Sequence, residues 1–318
     1  MRARRRQPTR LWLLLAAPAA SVPCQRPEDA AARCGSCHVT VHAEWQDSAH
    51  ARAFVDPLFQ KALAARTRPD LCLPCHVPQS ALDRLGQLPR VRQQQHDDGV
   101  SCAACHRRGD AVHGPTGAAT TAHATVADPA FLRRGSVGLC TGCHDLRIAD
   151  VLPLGREFLG AGLLDDGESC VGCHMEVVQR APAQDPATGL DAGPVRRGRS
   201  HRLLGPADPE FCASAFLLRI ERDARGTALV VANGAGHGVP GLARLRTFDF
   251  RLQWLDRTGR AVGTDSFQIS WQHRLLAEEH RRVPLRMVDG AVAVRVQVDH
   301  NFAGLKPATV IDRTLELP

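Results

Sequence analysis

Apolar and polar residues alternate most clearly toward the C-terminal end of the chain. Phe248, Phe250, Leu252 and Trp254 occupy every second position, and Val292, Val294, Val296 and Val298 repeat the pattern. A period of two puts such residues on one face of a pleated strand, so both runs predict half-buried strands. Ala215 to Glu221, Thr227 to Asn233, Thr247 to Asp256, Phe267 to Trp271 and Ala291 to Val298 all read as strands, with turns such as Arg257-Thr258-Gly259 between them. Strands at this spacing over roughly 100 residues predict a small all-β, sandwich-like domain, here placed at residues 212–318. Before Cys212 the pattern changes. Thr40 to Ala53 and Asp56 to Ala65 predict short helices, while Gly and Pro interrupt most other stretches. Ala181 to Arg199, rich in Pro, Gly and Arg, reads as a loop or linker.

The first residues follow a third pattern. Met1 to Arg10 is strongly basic, Leu11 to Ala17 is apolar, and Ala17-Pro18-Ala19 offers small residues for cleavage. The apolar run is too short to span a bilayer, so residues 1–23 read as an export signal, with a retained anchor as the alternative. Cys24 raises lipidation, which the preceding Pro23 fits poorly. The net charge of +7 includes five arginines of this leader, leaving a mildly basic remainder in which Lys61 and Lys306 are the only lysines. That balance suits docking to an acidic redox partner or an ordinary solvated surface, and gives no reason to expect nucleic-acid binding.

Chemistry enters with five copies of Cys-x-x-Cys-His: Cys34/Cys37/His38, Cys72/Cys75/His76, Cys102/Cys105/His106, Cys140/Cys143/His144 and Cys170/Cys173/His174. This spacing is how a polypeptide attaches haem covalently, each cysteine through a thioether and the histidine as proximal iron ligand. Structural zinc would combine such pairs two by two and has no use for the trailing histidine. Disulfide scaffolds are usually short, and thioredoxin-like motifs occur singly near a βαβ pattern. Ten of the 12 cysteines are consumed, leaving Cys24 and Cys212. Five covalently bound haem c groups are therefore expected. Their macrocycles would supply buried apolar mass in a region with few aromatic side chains; the whole chain has 4% aromatics and no tyrosine.

The motifs begin at 34, 72, 102, 140 and 170, so a period of 68 residues links the first, third and fifth. A second block recurs with them. His50 precedes Asp56-Pro57-Leu58-Phe59, His123 precedes Asp128-Pro129-Ala130-Phe131, and His201 precedes Asp208-Pro209-Glu210-Phe211. Residues 24–211 thus read as a five-haem domain built from a repeated two-haem unit. The third unit stops at Cys212. Its residues predict mainly short helices and irregular chain, followed by the all-β domain in one multidomain protein.

Five of the 15 histidines are proximal, and ten remain to close the far side of each iron. His50, His123 and His201 are the first distal candidates because they recur in the repeat. His113, seven residues after His106, follows, and then His237 in the glycine-rich Asn233–Pro240 loop, where backbone and ring can approach a macrocycle closely. His42 and His96 are reserves; His273, His280 and His300 are expected at the surface of the β region. Met175 adjoins His174 and cannot cross to the other side of its haem. The second and fourth motifs have no obvious dedicated partner.

The run from Cys34 through Glu44-Trp45-Gln46-Asp47-Ser48-Ala49-His50, then Cys72-Leu73-Pro74-Cys75-His76, then Gly99-Val100-Ser101 before Cys102 resembles the multihaem c-type cytochromes. Within them it is similar to the group that includes electron acceptors of hydroxylamine oxidoreductase. The resemblance implies His50 and His113 as distal ligands, His201 as another, and His237 in a C-terminal β domain, although Pro240-Gly241-Leu242 departs from the usual Pro-Thr-Gly. It implies electron transfer in the periplasm. The absence of a Cys-x-x-Cys-Lys motif and of any tyrosine removes the lysine-ligated haem of pentahaem nitrite reductases and the tyrosine–haem crosslink of hydroxylamine oxidoreductases. The expectation is an electron carrier between redox proteins, with two alternatives: an oxidoreductase acting on a small nitrogen or sulfur compound at one five-coordinate haem, or a redox subunit of a larger, membrane-associated complex.

Overall fold

The structure, a computed structural model, describes residues 30–118, 120–146, 153–241, 245–302 and 306–318. The leader and Cys24 lie outside the described residues. Among these residues no helix is long and apolar enough to cross a membrane.

Nine helices occur among the described residues: α1 (Ala31–Gly35), α2 (Val39–Gln46), α3 (Pro57–Ala64), α4 (Leu73–His76), α5 (Cys102–His106), α6 (Arg133–His144), α7 (Leu154–Gly160), α8 (Cys170–His174) and α9 (Pro209–Ser214). The motifs explain several of them. In a helical turn, positions i, i+3 and i+4 share a face, so winding Cys-x-x-Cys-His turns both thiols and the imidazole the same way. Thus α5 and α8 are the third and fifth motifs themselves, and α4 and α6 end on His76 and His144. Helix α6 is the longest and packs against α7 and α8. The expected helix from Thr40 ends at Gln46, because Ser48 Oγ–H turns back to the Trp45 carbonyl at 2.6 Å and the chain enters a turn.

The recurring Asp-Pro-x-Phe block has a local cause. Each aspartate caps a turn: Asp56 Oδ1 accepts from Leu58 N and Phe59 N at 2.9 and 3.0 Å, Asp128 Oδ1 from Ala130 N at 2.8 Å, and Asp208 Oδ1 from Phe211 N at 3.0 Å. The proline follows at the first helical position, where its missing N–H is no loss.

Short ladders fill the rest of this region: β1 (Arg107–Arg108), β2 (Ala111–Gly114) and β3 (Thr125–Ala127) in one sheet, β4 (Val177–Arg180) with β7 (Arg196–Arg199), and β5 (Ala183–Gln184) with β6 (Asp191–Ala192). The expected loop at 181–199 is therefore a pair of successive two-stranded ladders, closed by a turn in which Asp185 Oδ1 accepts from Ala187 N and Thr188 N.

Seven longer strands follow: β8 (Phe216–Asp223), β9 (Gly226–Asn233), β10 (Arg246–Leu255), β11 (Ala261–Ile269), β12 (His280–Pro284), β13 (Ala293–Phe302) and β14 (Ala308–Glu316). They form a four-stranded sheet, β11-β10-β13-β14, and a three-stranded sheet, β12-β9-β8, all antiparallel. The alternation at 248–254 pairs with that at 294–300, Phe250 opposite Val298 and Trp254 opposite Val294. Phe250, Leu252, Val294, Val296 and Val298 meet Phe216, Leu229 and Val231 of the other sheet in one buried core. Strands β12 and β14 were not expected. Their residues are mostly polar or half-exposed, and pairing to a neighbour on one side decides them. The expected division at 211/212 falls inside α9, which packs on β8 and β14.

Candidate haem sites

All 15 histidines lie among the described residues. Four proximal imidazoles each face one further imidazole: His38 faces His123 with ring centres 6.3 Å apart, His144 faces His50 at 6.1 Å, His106 faces His201 at 6.1 Å, and His174 faces His237 at 6.3 Å. A metal–imidazole bond of about 2 Å, with roughly 1 Å more from nitrogen to ring centre, puts two trans imidazoles on one metal roughly 6 Å apart. The four spacings match that, and they exclude direct ring stacking, which would be much closer.

Tautomers agree with ligation. His38 Nδ1–H donates to the Pro182 carbonyl at 2.7 Å, His106 Nδ1–H to the His113 carbonyl at 2.7 Å, and His174 Nδ1–H to the Leu204 carbonyl at 2.6 Å; His76 Nδ1–H donates to the Ala53 carbonyl. A carbonyl on Nδ1 fixes the proton there, leaves Nε2 as the free lone pair and raises its basicity toward a metal. Burial holds the rings neutral: it pushes His50, His144 and His201 down to about 4, and lowers His76, His106 and His237 as well.

The attachment thiols are grouped. Cys34 lies beside Cys102, Cys75 beside Cys143 and Cys140 beside Cys170. The first motif thus adjoins the third, the second adjoins the fourth, and the fourth adjoins the fifth. Cys37, Cys72 and Cys105 complete the thioether set, with Cys173, whose Sγ lies 3.7 Å from Glu168 Oε2. A covalent haem fits this donor set: paired or free thiols, an imidazole of fixed tautomer on the same helical turn, and a second imidazole across the gap.

The phenylalanines of the repeat pack on proximal rings. Phe59 stacks on His76 at 3.6 Å and 7°, Phe131 on His106 at 4.8 Å and 17°, and Phe211 meets His174 at 5.0 Å. The capping aspartates therefore do more than start helices; they aim an aromatic ring at a motif histidine. The repeat was visible in the sequence, but not its purpose.

His113 is placed elsewhere. Its Nδ1–H donates to Asp128 Oδ2 at 2.8 Å and its carbonyl serves His106, so it braces the His106 ring, and no motif histidine ring faces it at pair spacing. His42 packs over Gly35 and beside Trp45, and His96 Nε2–H donates to the Arg92 carbonyl at 2.8 Å. His76 alone among the proximal histidines faces no second imidazole at this spacing. His300, expected at the surface, is buried instead: it stacks on Phe248 from the paired strand at 4.9 Å, with Nε2 unpartnered. The alternation that buries Val294 to Val298 continues through position 300, a signal the sequence did offer.

Backbone and side-chain contacts position the distal imidazoles. The His50 carbonyl accepts from Val100 N at 2.9 Å, an approach open only because Gly99 (φ +54°) has no Cβ to strike the His50 and Ala51 carbonyls. His201 N–H donates to Glu44, and Gly238 N–H, next to His237, donates to Glu157. Burial works to raise both carboxyls, but Arg180 beside Glu44 and Arg274 beside Glu157 outweigh it and hold both below the usual carboxylate range. Glu157, Arg180 and Arg274 belong to no motif, and Glu44 stands in the run from Cys34 to His50 with nothing there to signal this contact.

Comparison with known proteins gives two findings. The family described as "Cytochrome c554 and c-prime" matches residues 33–107, which hold the first three motifs. A penta-heme cytochrome c552 from Thermochromatium tepidum has a similar fold, with TM-score 0.62 and 19% identity over 91% of this chain and 99% of that one. No curated protein matches. Residues 33–107, with their three attachment motifs, are thus similar to this family, and the chain as a whole is similar in fold to a penta-heme cytochrome c552.

Proposed function

We propose that this is an exported, periplasmic pentahaem cytochrome that carries electrons between redox partner proteins, four of its haems being held between two histidines. The observation that carries the reading is the set of four imidazole pairs at 6.1–6.3 Å. Each bound haem would supply an iron that takes up and releases one electron. The chain's own residues do the rest. Ten cysteines tether the groups. His38, His76, His106, His144 and His174 offer Nε2 from one side, and His123, His201, His50 and His237 meet His38, His106, His144 and His174 from the other. Two fixed imidazoles leave an iron little room to rearrange on redox change, which suits transfer without chemistry. The thiol contacts set neighbouring attachment points side by side, as a carrier requires. The two C-terminal sheets are read as a sandwich-like domain whose 233–240 loop delivers His237.

A second reading has its own observation. His76 has Phe59 across one ring face and no opposing imidazole, so its haem would keep an open position where a small nitrogen or sulfur compound binds. Electron paramagnetic resonance of the oxidised protein and carbon monoxide titration of the reduced protein test both. The expected result is low-spin signals from paired haems and carbon monoxide at about one haem per molecule, rising to about two in His50→Ala. Carbon monoxide at several haems of the unaltered protein would sink the four-pair reading. None at all would remove the open site and the oxidoreductase reading with it.

A further inference from the structure

His201 and His237 face proximal histidines that lie far back along the chain, and one device holds both. Glu44 of α2 accepts the His201 N–H on Oε2 at 2.8 Å, while Arg180 of β4 grips its two oxygens at 2.5 and 2.9 Å. Glu157 of α7 accepts the Gly238 N–H on Oε2 at 2.9 Å, while Arg274 grips its two oxygens at 2.6 and 2.7 Å. The atoms correspond one for one. Exposure is alike too, 19% and 18% for the Arg180 and Glu44 side chains, and 14% and 19% for Arg274 and Glu157.

We propose that Glu44 and Glu157, each braced by its arginine, are positioning residues that set the neighbouring axial histidine in register with its iron; this rests on reading His201 and His237 as ligands. A forked guanidinium–carboxylate pair fixes the plane of the carboxylate as well as its position. The carboxylate then fixes one backbone N–H at or beside the histidine, and so the point from which the imidazole extends. Further bonds narrow the choice. The Arg199 carbonyl accepts from Arg180 at 3.0 Å and from His201 Nδ1–H at 3.1 Å, and the His237 carbonyl accepts from Asn233 Nδ2 at 2.9 Å. Metal–ligand distances tolerate only about 0.2 Å, so an imidazole on a loop gains from such a brace. The other two distal histidines are held differently, His50 through its own carbonyl and His123 by Thr125 Oγ1 at 3.2 Å. The clasp serves only the two ligands that come from beyond residue 200.

The test compares holoprotein variants by carbon monoxide titration, electron paramagnetic resonance and haem stoichiometry. His237→Ala is expected to add about one carbon-monoxide-binding haem per molecule. Glu157→Ala is expected to open the same haem in part and to shift its midpoint potential, whereas Glu157→Gln, which keeps an oxygen for the Gly238 N–H but loses one oxygen of the Arg274 fork, shifts it less. A Glu157→Ala protein with its full haem complement and the parent's spectrum and potentials overturns the proposal. His237→Ala with the parent's spectrum overturns the ligand assignment instead. Should Glu157→Ala not accumulate with its haems, Glu157→Asp, one methylene short, is read in its place by the same outcomes. Glu44→Ala and His201→Ala form the second, independent series at the third motif.

Discussion

Phe216, Phe248, Phe250, Leu252, Trp254, Ile269, Val294, Val296 and Val298 meet in one continuous buried core between the two C-terminal sheets. In the motif region the comparable cluster is Ala31, Trp45 and Ala51. The contrast is not one of length or order, since both regions form regular backbone. It lies in what the chain buries. The sheets bury their own side chains, and alternate residues carry the work. The motif region turns thiols, imidazoles and backbone carbonyls inward and fixes them with polar contacts, such as Arg92, whose guanidinium donates to the carbonyls of Gln94, Gln95 and Gly99 and to Ser101 Oγ. Polar contacts specify a geometry but contribute little net stability, about 1 kcal/mol each, whereas apolar burial supplies most of it. The first region therefore depends on a group that is not made of amino acids.

The largest effect follows directly. Protein made without haem attachment is expected to lose structure across residues 30–208 while the sheets persist. Limited proteolysis with mass analysis checks this: cuts should fall before Phe216 and leave a resistant C-terminal fragment. Equal resistance in both regions would break the comparison. A smaller effect sharpens it. Phe250 is wholly buried, so Phe250→Ala is expected to cost about 3–5 kcal/mol of sheet stability. The absorption spectrum of the bound haems should change little, except at the fifth motif, where the proposed ligand His237 arrives from the β side.

How far the sequence could be read follows the same divide. Period-two alternation announces a strand wherever one face is buried, so β8, β9 and β10 were legible within two residues, and β13 was found but ended four residues short. In the motif region the five Cys-x-x-Cys-His runs and the repeated histidines carried the chemistry, because covalent attachment imposes a fixed spacing. What they did not carry was pairing. Nothing in local sequence tells that His123 faces His38 rather than His106, since three-dimensional packing decides it. His113 shows the limit: its distance from His106 suggested a ligand, yet its carbonyl reaches the His106 ring while its own ring turns to Asp128. The pairings of Glu44 and Glu157 were silent for the same reason, their partners lying 136 and 117 positions away.

The smallest effect concerns His300, which tests whether the sheets rely on apolar burial alone. Its ring lies on Phe248 within the core edge, Nε2 has no partner, and burial with the nearby Arg246 charge pushes it from the ordinary 6.5 down to about 4. Because the folded-state value is the lower, the unfolded chain binds a proton first as pH falls. Above 6.5 the group is neutral in both states and contributes no pH dependence. Between 6.5 and 4 each step toward acid favours the unfolded chain, and below 4 the loss is complete and constant. His300→Phe removes the titrating nitrogen and keeps a ring against Phe248. It is expected to leave stability at pH 7 unchanged or slightly higher, since an unpartnered buried nitrogen gives way to carbon. The acid limb of the sheet-unfolding transition should flatten, a melting temperature shifting by about 4–8 °C for each kcal/mol of linked stability. Calorimetry of the two proteins between pH 7 and 4 decides the point. If the two limbs run parallel, some other group sets the acid sensitivity, and the sheets hold a polar dependence that their alternating pattern conceals.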